Sequence, residues 1–168
     1  MMSDDTTPRL ALPLLQPGQA QKETTHNEAL ALLDLAVQAS VLAVGTEAPP
    51  ANPVAGNAWI VGGAPTGGWV GQAGAVAGWT SGGWRFVAPR DGMAVWSVAD
   101  AQVARFASGA WTLGVLAGSR VSIGGVDVVG ARREAIVEPS GGPVVDVDAR
   151  AAIGAILAAL RGHGLISI

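Results

Sequence analysis

The residues that could carry acid–base or metal chemistry are few and scattered along the chain. Neither of the two histidines, His26 and His163, has metal-ligand spacing or a neighbouring nucleophile motif, so each is interpreted as a residue at a helix end. A glycoside hydrolase uses two carboxylates held at a fixed separation in space. The scattered Asp91, Asp100 and Asp127 form no recognisable pair, although the sequence leaves a purely spatial pair open.

Two further patterns resemble ligand sites but are better explained by local structure. Asp146 and Asp148 lack the further carboxylates of a calcium loop, and we expect them to cap a helix. The glycine pairs at 62–63 and 67–68 lack the following Lys-Ser/Thr of a phosphate loop and are predicted to be turns. The absence of cysteine excludes disulfides and thiolate sites. We therefore expect no catalytic residue, no cofactor and no metal, and the chain is not expected to be an enzyme.

The six tryptophans, against two Phe and no Tyr, are the side chains best suited to bind a ligand. Exposed indole rings stack on sugars, whereas buried ones supply core volume, and the sequence leaves both roles open. Trp69 is the candidate for carbohydrate contact because it lies in the segment 67–71, GGWVG, where a ring can be exposed without disturbing a strand. Trp84 is assigned to the core because alternation places it on one strand face with Phe86.

The composition indicates a protein that is buried in an assembly. The chain is 49% hydrophobic and only 14% charged, whereas a typical domain has about 25% charged residues. A surface so poor in charge is predicted to be covered by other copies of the chain, as in an obligate oligomer. With a net charge of −3 and no basic stripe, binding to nucleic acid is not expected. No apolar run reaches the roughly 18–20 residues of a spanning helix, so membrane insertion is not expected either.

An N-terminal arm, residues 1–18, opens the chain; its first residues are polar and acidic, and its segment 9–15 is extended and apolar. Pro13 excludes this arm from a helix interior. Apolar side chains in such an arm gain by leaving water, so we expect it to dock on its own domain or on a neighbour, with a capsid or adjacent subunit preferred. The candidate docking residues are Leu10, Leu12, Leu14 and Leu15.

The remaining segments predict a fold of class α+β that is mainly β. Residues 19–45 predict a helix, and residues 146–168 predict a second helix followed by an apolar tail. Between 56 and 130 the apolar period changes to two, and glycine-rich turns separate short strands, as in an antiparallel, barrel-like meander. The predicted apolar stripes are Leu30, Leu33, Val37, Val41 and Val44 in the first helix, and Ile153, Ile156, Leu157 and Leu160 in the second.

Several segments resemble an uncharacterised family of alphaproteobacterial prophages and gene transfer agents. The opening of the chain carries the most specific part of this resemblance, and its close resembles the C-terminus of many proteins associated with phage tail fibres. The segments are TPRLALPLLQPGQAQKETTHNEAL (7–30), GNAWIVG (56–62), APTG (64–67), GGWRFVAP (82–89), GM (92–93), and DARAAI (148–153) through HGLI (163–166).

The resemblance implies a structural subunit of a virion-like particle that is assembled in the bacterial cytoplasm and released by lysis. In gene transfer agents, similar proteins form the base of head spikes on capsid vertices, carry a fibre protein and help attachment to the capsule of the recipient. A head vertex implies a pentamer, with a trimer as the alternative, and the implied partners are capsid vertex or tail proteins and a receptor-binding fibre protein. Longer relatives carry further domains, which favours an adaptor role here.

Two other functions stay open at this point. One is a carbohydrate-binding module that contacts capsular polysaccharide through an exposed tryptophan. The other is an enzyme that degrades that polysaccharide.

Overall fold

The computed structural model describes residues 6–15, 22–143 and 146–168. The chain divides into two compact units, Met1–Val115 and Leu116–Ile168, called here the N-terminal unit and the C-terminal unit. The predicted fold class is confirmed, since two helices accompany a majority of β structure. The described strands form two four-stranded sheets and one hairpin, with no closed barrel among them. The elements are α1 (Lys22–Ala36), β1 (Ser40–Val41), β2 (Val44–Thr46), β3 (Ala58–Val61), β4 (Val76–Thr80), β5 (Gly83–Val87), β6 (Ala94–Ser97), β7 (Gln102–Ala107), β8 (Ala110–Leu113), β9 (Val121–Ile123), β10 (Val126–Val129) and α2 (Val147–Gly162).

Helix α1 is shorter than the sequence predicts. It ends at Ala36, and Gln38 turns the chain with a φ of +46° before β1 begins. Val41 is buried in that strand and not on the predicted helix. A β-branched residue such as valine suits a strand that packs on a core. The predicted helix over 19–45 is therefore wrong beyond Ala36, and its predicted start at Gln19 lies outside the described residues.

The buried side of α1 also differs from the predicted stripe. Leu33 is 49% exposed and Val37, just after the helix, is 46% exposed, whereas Leu35 is only 2% exposed. Leu35 packs against β4 at Gly78, where any Cβ would collide with the leucine side chain. A glycine in the middle of a strand permits this close approach of a helix.

Each four-stranded sheet joins an antiparallel meander to one parallel edge strand. The orders are β2-β3-β4-β5 and β1-β6-β7-β8, and only the β2–β3 and β1–β6 pairs are parallel. The antiparallel pairs join strands that are consecutive in the chain, and short turns connect all of them except β3 and β4, between which the chain runs through residues 62–75. Ser108 and Gly109, for example, both have positive φ, as a two-residue hairpin loop of type I′ requires.

The core of the N-terminal unit lies on both faces of β3, whose four residues are all buried. Ala58 and Ile60 pack with Leu35 of α1 and with the second sheet. Trp59 and Val61, on the other face, pack with tryptophans from the following loop and strand. Because both faces of β3 are buried, the strand is apolar at every position.

The C-terminal unit contains the β9–β10 hairpin and α2. Its turn residues Gly124 and Gly125 have φ values of +58° and +82°, which confirms the predicted hairpin turn. Asp146 caps α2, since its carboxylate accepts a hydrogen bond of 2.9 Å from the Ala149 amide. Near the other end of α2, Arg161 forms a salt bridge of 2.9 Å with Glu138.

Among the described residues, no helix is both long enough and apolar enough to cross a membrane.

Candidate interaction surfaces

The described arm residues 6–15 are held on α1 by one buried carboxylate. Asp34 is 1% exposed and accepts hydrogen bonds from the Thr7 hydroxyl at 2.9 Å, the Arg9 amide at 3.0 Å and the Leu10 amide at 2.6 Å. The Arg9 guanidinium donates to the Asp34 carbonyl and, at 2.8 Å, to the Gln38 carbonyl. The first three bonds provide donors for the buried carboxylate. The bonds from Arg9 provide donors for backbone carbonyls at the C-terminal end of α1, which have no partner within the helix.

The four candidate docking leucines lie along the same helix rather than inside the core. Leu10, Leu12 and Leu14 are half-buried, and Leu15 is 45% exposed. The backbone of Leu15 exchanges two hydrogen bonds with the Asn27 side chain, at 2.9 and 3.0 Å. Within residues 6–15 the arm therefore docks on its own unit, one of the two expected modes, and keeps part of its apolar surface accessible.

Trp69 is completely buried, so the prediction that its ring is exposed is wrong. A 3₁₀ turn at Gly67–Trp69 folds the ring inward, and Gly67 enables that turn with a φ of +56°. The glycines of this segment thus serve a tight turn and do not mark an open loop. The Trp69 ring lies 6.2 Å from that of Trp59 and 5.1 Å from that of Trp84, measured between ring centroids. This geometry gives Trp69 no surface on which a sugar could stack.

Trp84 joins this group as the sequence predicts. Its ring is half-buried and makes edge-to-face contacts with Trp59 at 5.7 Å and Trp79 at 4.9 Å. Phe86, two residues along β5, packs on the same cluster. We call the four rings the tryptophan cluster; its members are Trp59, Trp69, Trp79 and Trp84. Edge-to-face pairs of this kind add about 0.5–1.5 kcal/mol each beyond the burial of area.

Trp96 is the tryptophan that the sequence reasoning missed. It is 45% exposed, the most of the six. It lies in β6, where Val95 and Ser97 point into the core and Trp96 points outward. Val103 pairs directly with it across β7, and Arg105 lies two residues further along the same face. The alternation of β6 could have been found from the sequence, but Val95 and Trp96 are both apolar, so the pattern does not indicate which face is buried.

Within each unit, the candidate catalytic residues have separate surroundings. His26 is exposed on α1 and His163 is exposed at the end of α2. Asp100 accepts a hydrogen bond from the Ser97 hydroxyl, Asp91 lies in an exposed turn, and Asp127 pairs with a neighbouring arginine at 3.2 Å. In the part of the chain that the structure describes, no three His, Asp or Glu residues are grouped so as to hold a metal ion.

The C-terminal unit exposes much of its apolar surface. Among the large apolar side chains of its described residues, only Leu157 and Ile166 are buried. Within the predicted stripe of α2, Ile153 is 42% and Ile156 is 59% exposed, so half of this stripe faces away from the unit. Leu160 is half-buried.

These observations define an α+β, mainly β domain with a cluster of buried aromatic rings. Residues 26–112 match a family described as "protein of unknown function (DUF2793)". The match covers more than half of the chain, and the chain belongs to this family. All of the matched residues lie within the N-terminal unit, so the family domain is the one that contains the tryptophan cluster. Curated proteins provide no match to the chain.

Proposed function

We propose that this chain is a structural, non-enzymatic subunit of a phage-like particle such as a gene transfer agent. In this role it forms the base of a head spike or fibre that supports attachment to the recipient cell. It assembles as a homo-oligomer, a pentamer on a head vertex or a trimer on a fibre. Its partners are capsid vertex or tail proteins on one side and a receptor-binding fibre protein on the other.

The observation that carries this proposal is the amount of uncovered apolar surface on a chain with few charges. Only 14% of the residues are charged. Four apolar side chains share one face of the β9–β10 hairpin, and each is between 45% and 66% exposed: Val121, Ile123, Val126 and Val129. Monomeric proteins rarely leave contiguous apolar patches larger than a few hundred Å² in water. A subunit buried between neighbours in a particle has no such restriction, and the resemblance of the sequence to particle proteins favours this setting.

The location of the chain in purified particles tests the proposal. A strain that carries an epitope-tagged copy would be induced, and particles would be purified on a density gradient and probed by immunogold electron microscopy. We expect the tag at a regular position on the particle, in several copies, and reduced adsorption of particles that lack the chain. A tag that remains in the lysate supernatant while particles form and adsorb normally would disprove the proposal.

Trp96 supports a second candidate function, direct contact with capsular polysaccharide. An indole ring exposed on the face of a sheet can stack on a sugar ring, and Arg105 on the same face can donate hydrogen bonds to hydroxyl or carboxylate groups. This function requires no catalytic group and is compatible with a place at the base of a spike. Binding of the purified chain to isolated capsule separates it from a purely adaptor role.

A further inference from the structure

The outer face of the sheet β1-β6-β7-β8 carries an exposed ring and a cation side by side. Directly paired residues share one face of a sheet, so the strand register places the outward side chains in two neighbouring rows. One row contains Ser40, Trp96 and Val103, and the next contains Ala94, Arg105 and Thr112. Trp96 and Arg105 are therefore diagonal neighbours on adjacent strands, with backbone positions about 7–8 Å apart, a span that long side chains bridge.

Arg105 has no anionic partner in the described part of the chain. The residue is half-buried, and neither row of the outer face includes a carboxylate. The salt bridges between described residues involve other arginines, namely Arg85, Arg120 and Arg161. A cation that is partly removed from water is stabilised when a carboxylate accepts hydrogen bonds from it. Arg105 is thus available to an anionic ligand.

Trp96 adds a requirement for an apolar ring face. Its side chain is 45% exposed, and an exposed indole stacks on the C–H face of a sugar ring. Hydroxyl groups lie in both rows, on Ser40 and Thr112, and each can form hydrogen bonds with sugar hydroxyls. A uronic acid carries a carboxylate at the edge of its ring, so one sugar residue can stack on Trp96 and pair with Arg105.

An acidic peptide is the main alternative ligand for this face. Its Asp or Glu side chains could pair with Arg105, but they have no ring face on which the indole could stack. The net charge of the chain is −3, so the protein as a whole does not attract polyanions. Selective binding of an acidic polymer therefore requires a local contact, and the diagonal pair of ring and cation provides one.

We infer that Trp96 and Arg105 together form a site for an acidic sugar residue, with the indole stacked on the ring and the guanidinium paired with its carboxylate. This inference rests on the second proposed function, contact with capsular polysaccharide, and narrows its ligand to polysaccharides that contain uronic acids. Both residues lie within the segment that matches the family.

Calorimetric titration of the purified full-length chain tests the inference with two matched ligands. One is an oligomer of galacturonic acid, and the other is the same oligomer after reduction of its carboxyl groups to alcohols. We expect the wild type to bind the acidic oligomer at least about tenfold more tightly than the reduced one. Arg105→Gln should remove this preference by weakening only the acidic oligomer, whereas Trp96→Ala should weaken both.

Two control variants separate the site from general effects. Arg90→Gln removes the same charge from the groove between α1 and β5 and is expected to keep the preference for the acidic oligomer. Val103→Ala changes the outer face without removing the ring or the cation and should bind as the wild type does.

Three results would overturn the inference. The first is equal affinity of the wild type for both oligomers, which would leave sugar contact itself in place. The second is competition by a poly-glutamate peptide as effective as that by the acidic oligomer. The third is a lower molar mass of Trp96→Ala in light scattering, which would show that another copy of the chain covers this face. Failure to bind isolated capsule of any composition would refute the proposed sugar contact as well, so the two failures are distinguishable.

Discussion

The Thr7 hydroxyl donates a hydrogen bond of 2.9 Å to the Asp34 carboxylate, and both residues are buried although 27 positions separate them. Asp34 interrupts the apolar side of α1, a position where a carboxylate would be costly without donors. The arm supplies three donors to it, two of them backbone amides. Asp34 therefore anchors the arm between Thr7 and Leu10, and Asn27 holds its other end at Leu15.

Replacement of this carboxylate should release the arm. In Asp34→Ala the Thr7 hydroxyl and two amides lose their acceptor, and each unsatisfied buried donor costs about 1–3 kcal/mol. Because the arm can move into water, we expect a net loss of about 2–3 kcal/mol and faster protease cleavage near Leu10. Urea denaturation and limited proteolysis measure the two effects. Asp91→Ala, a change in an exposed turn, is the control, and equal behaviour of both variants would contradict the role of Asp34.

Gly78 should not tolerate a side chain. A Cβ at this position would overlap the Leu35 side chain, so Gly78→Ala is expected to destabilise the N-terminal unit by about 1–3 kcal/mol through overpacking. Gly63→Ala is the control, because nothing lies within 4 Å of its Cβ position. The double variant Gly78→Ala/Leu35→Ala should lose less than the sum of the two single variants, since the second change removes the overlap. Strict additivity in thermal denaturation would show that the two residues do not meet.

The hairpin turn of the C-terminal unit depends on backbone conformations that valine resists. Gly124 and Gly125 both have positive φ, so Gly124→Val/Gly125→Val is expected to disrupt the pairing of β9 with β10. Loss of this pairing should lower the melting temperature of the purified chain. Gly130→Val is the control, since Gly130 has neither positive φ nor a close neighbour. An unchanged melting temperature for the first variant would count against the turn as an element of stability.

Local patterns predicted correctly those features that depend on a few neighbouring residues. The turn at Gly124-Gly125, the cap at Asp146 and the shared face of Trp84 and Phe86 each follow from positions close together in the sequence. The end of α1 could not be predicted in this way, because a distant strand decides whether Val41 joins a helix or a sheet.

The burial or exposure of the tryptophans also depends on residues that are distant in the sequence. Glycines around Trp69 are equally compatible with an open loop and with a 3₁₀ turn that buries the ring, and contacts with Trp59 and Trp84 select the second. The outward direction of Trp96 likewise depends on which face of the second sheet packs on β3 and α1. Neither choice is encoded in the neighbouring residues.

Trp69→Ala should unfold or strongly destabilise the family domain. Removal of a fully buried tryptophan costs about 3–5 kcal/mol through lost contacts and the cavity that remains. Chemical denaturation should show this loss together with lower yield of folded protein. Val70→Ala, a change at the adjacent and 70% exposed position, is the control and should have little effect. A Trp69→Ala variant as stable as the control would contradict a core role for this ring.

Trp96→Ala separates the adaptor role from direct sugar contact. The side chain is 45% exposed, so the variant is expected to fold, to keep the wild-type oligomeric mass and to lose much less stability than Trp69→Ala. Stacking requires the indole face, so binding to isolated capsular polysaccharide should fall at least about tenfold, which corresponds to a loss of roughly 1.4 kcal/mol.

Arg105→Ala should weaken binding to anionic capsule more than to neutral capsule, because it removes a charge from the face that carries Trp96. Val103→Ala changes the same face without removing an aromatic ring or a charge and serves as the control. Equal binding by the wild type, Trp96→Ala and Val103→Ala in a pull-down with labelled capsule would exclude Trp96 as a sugar platform and leave the adaptor role alone.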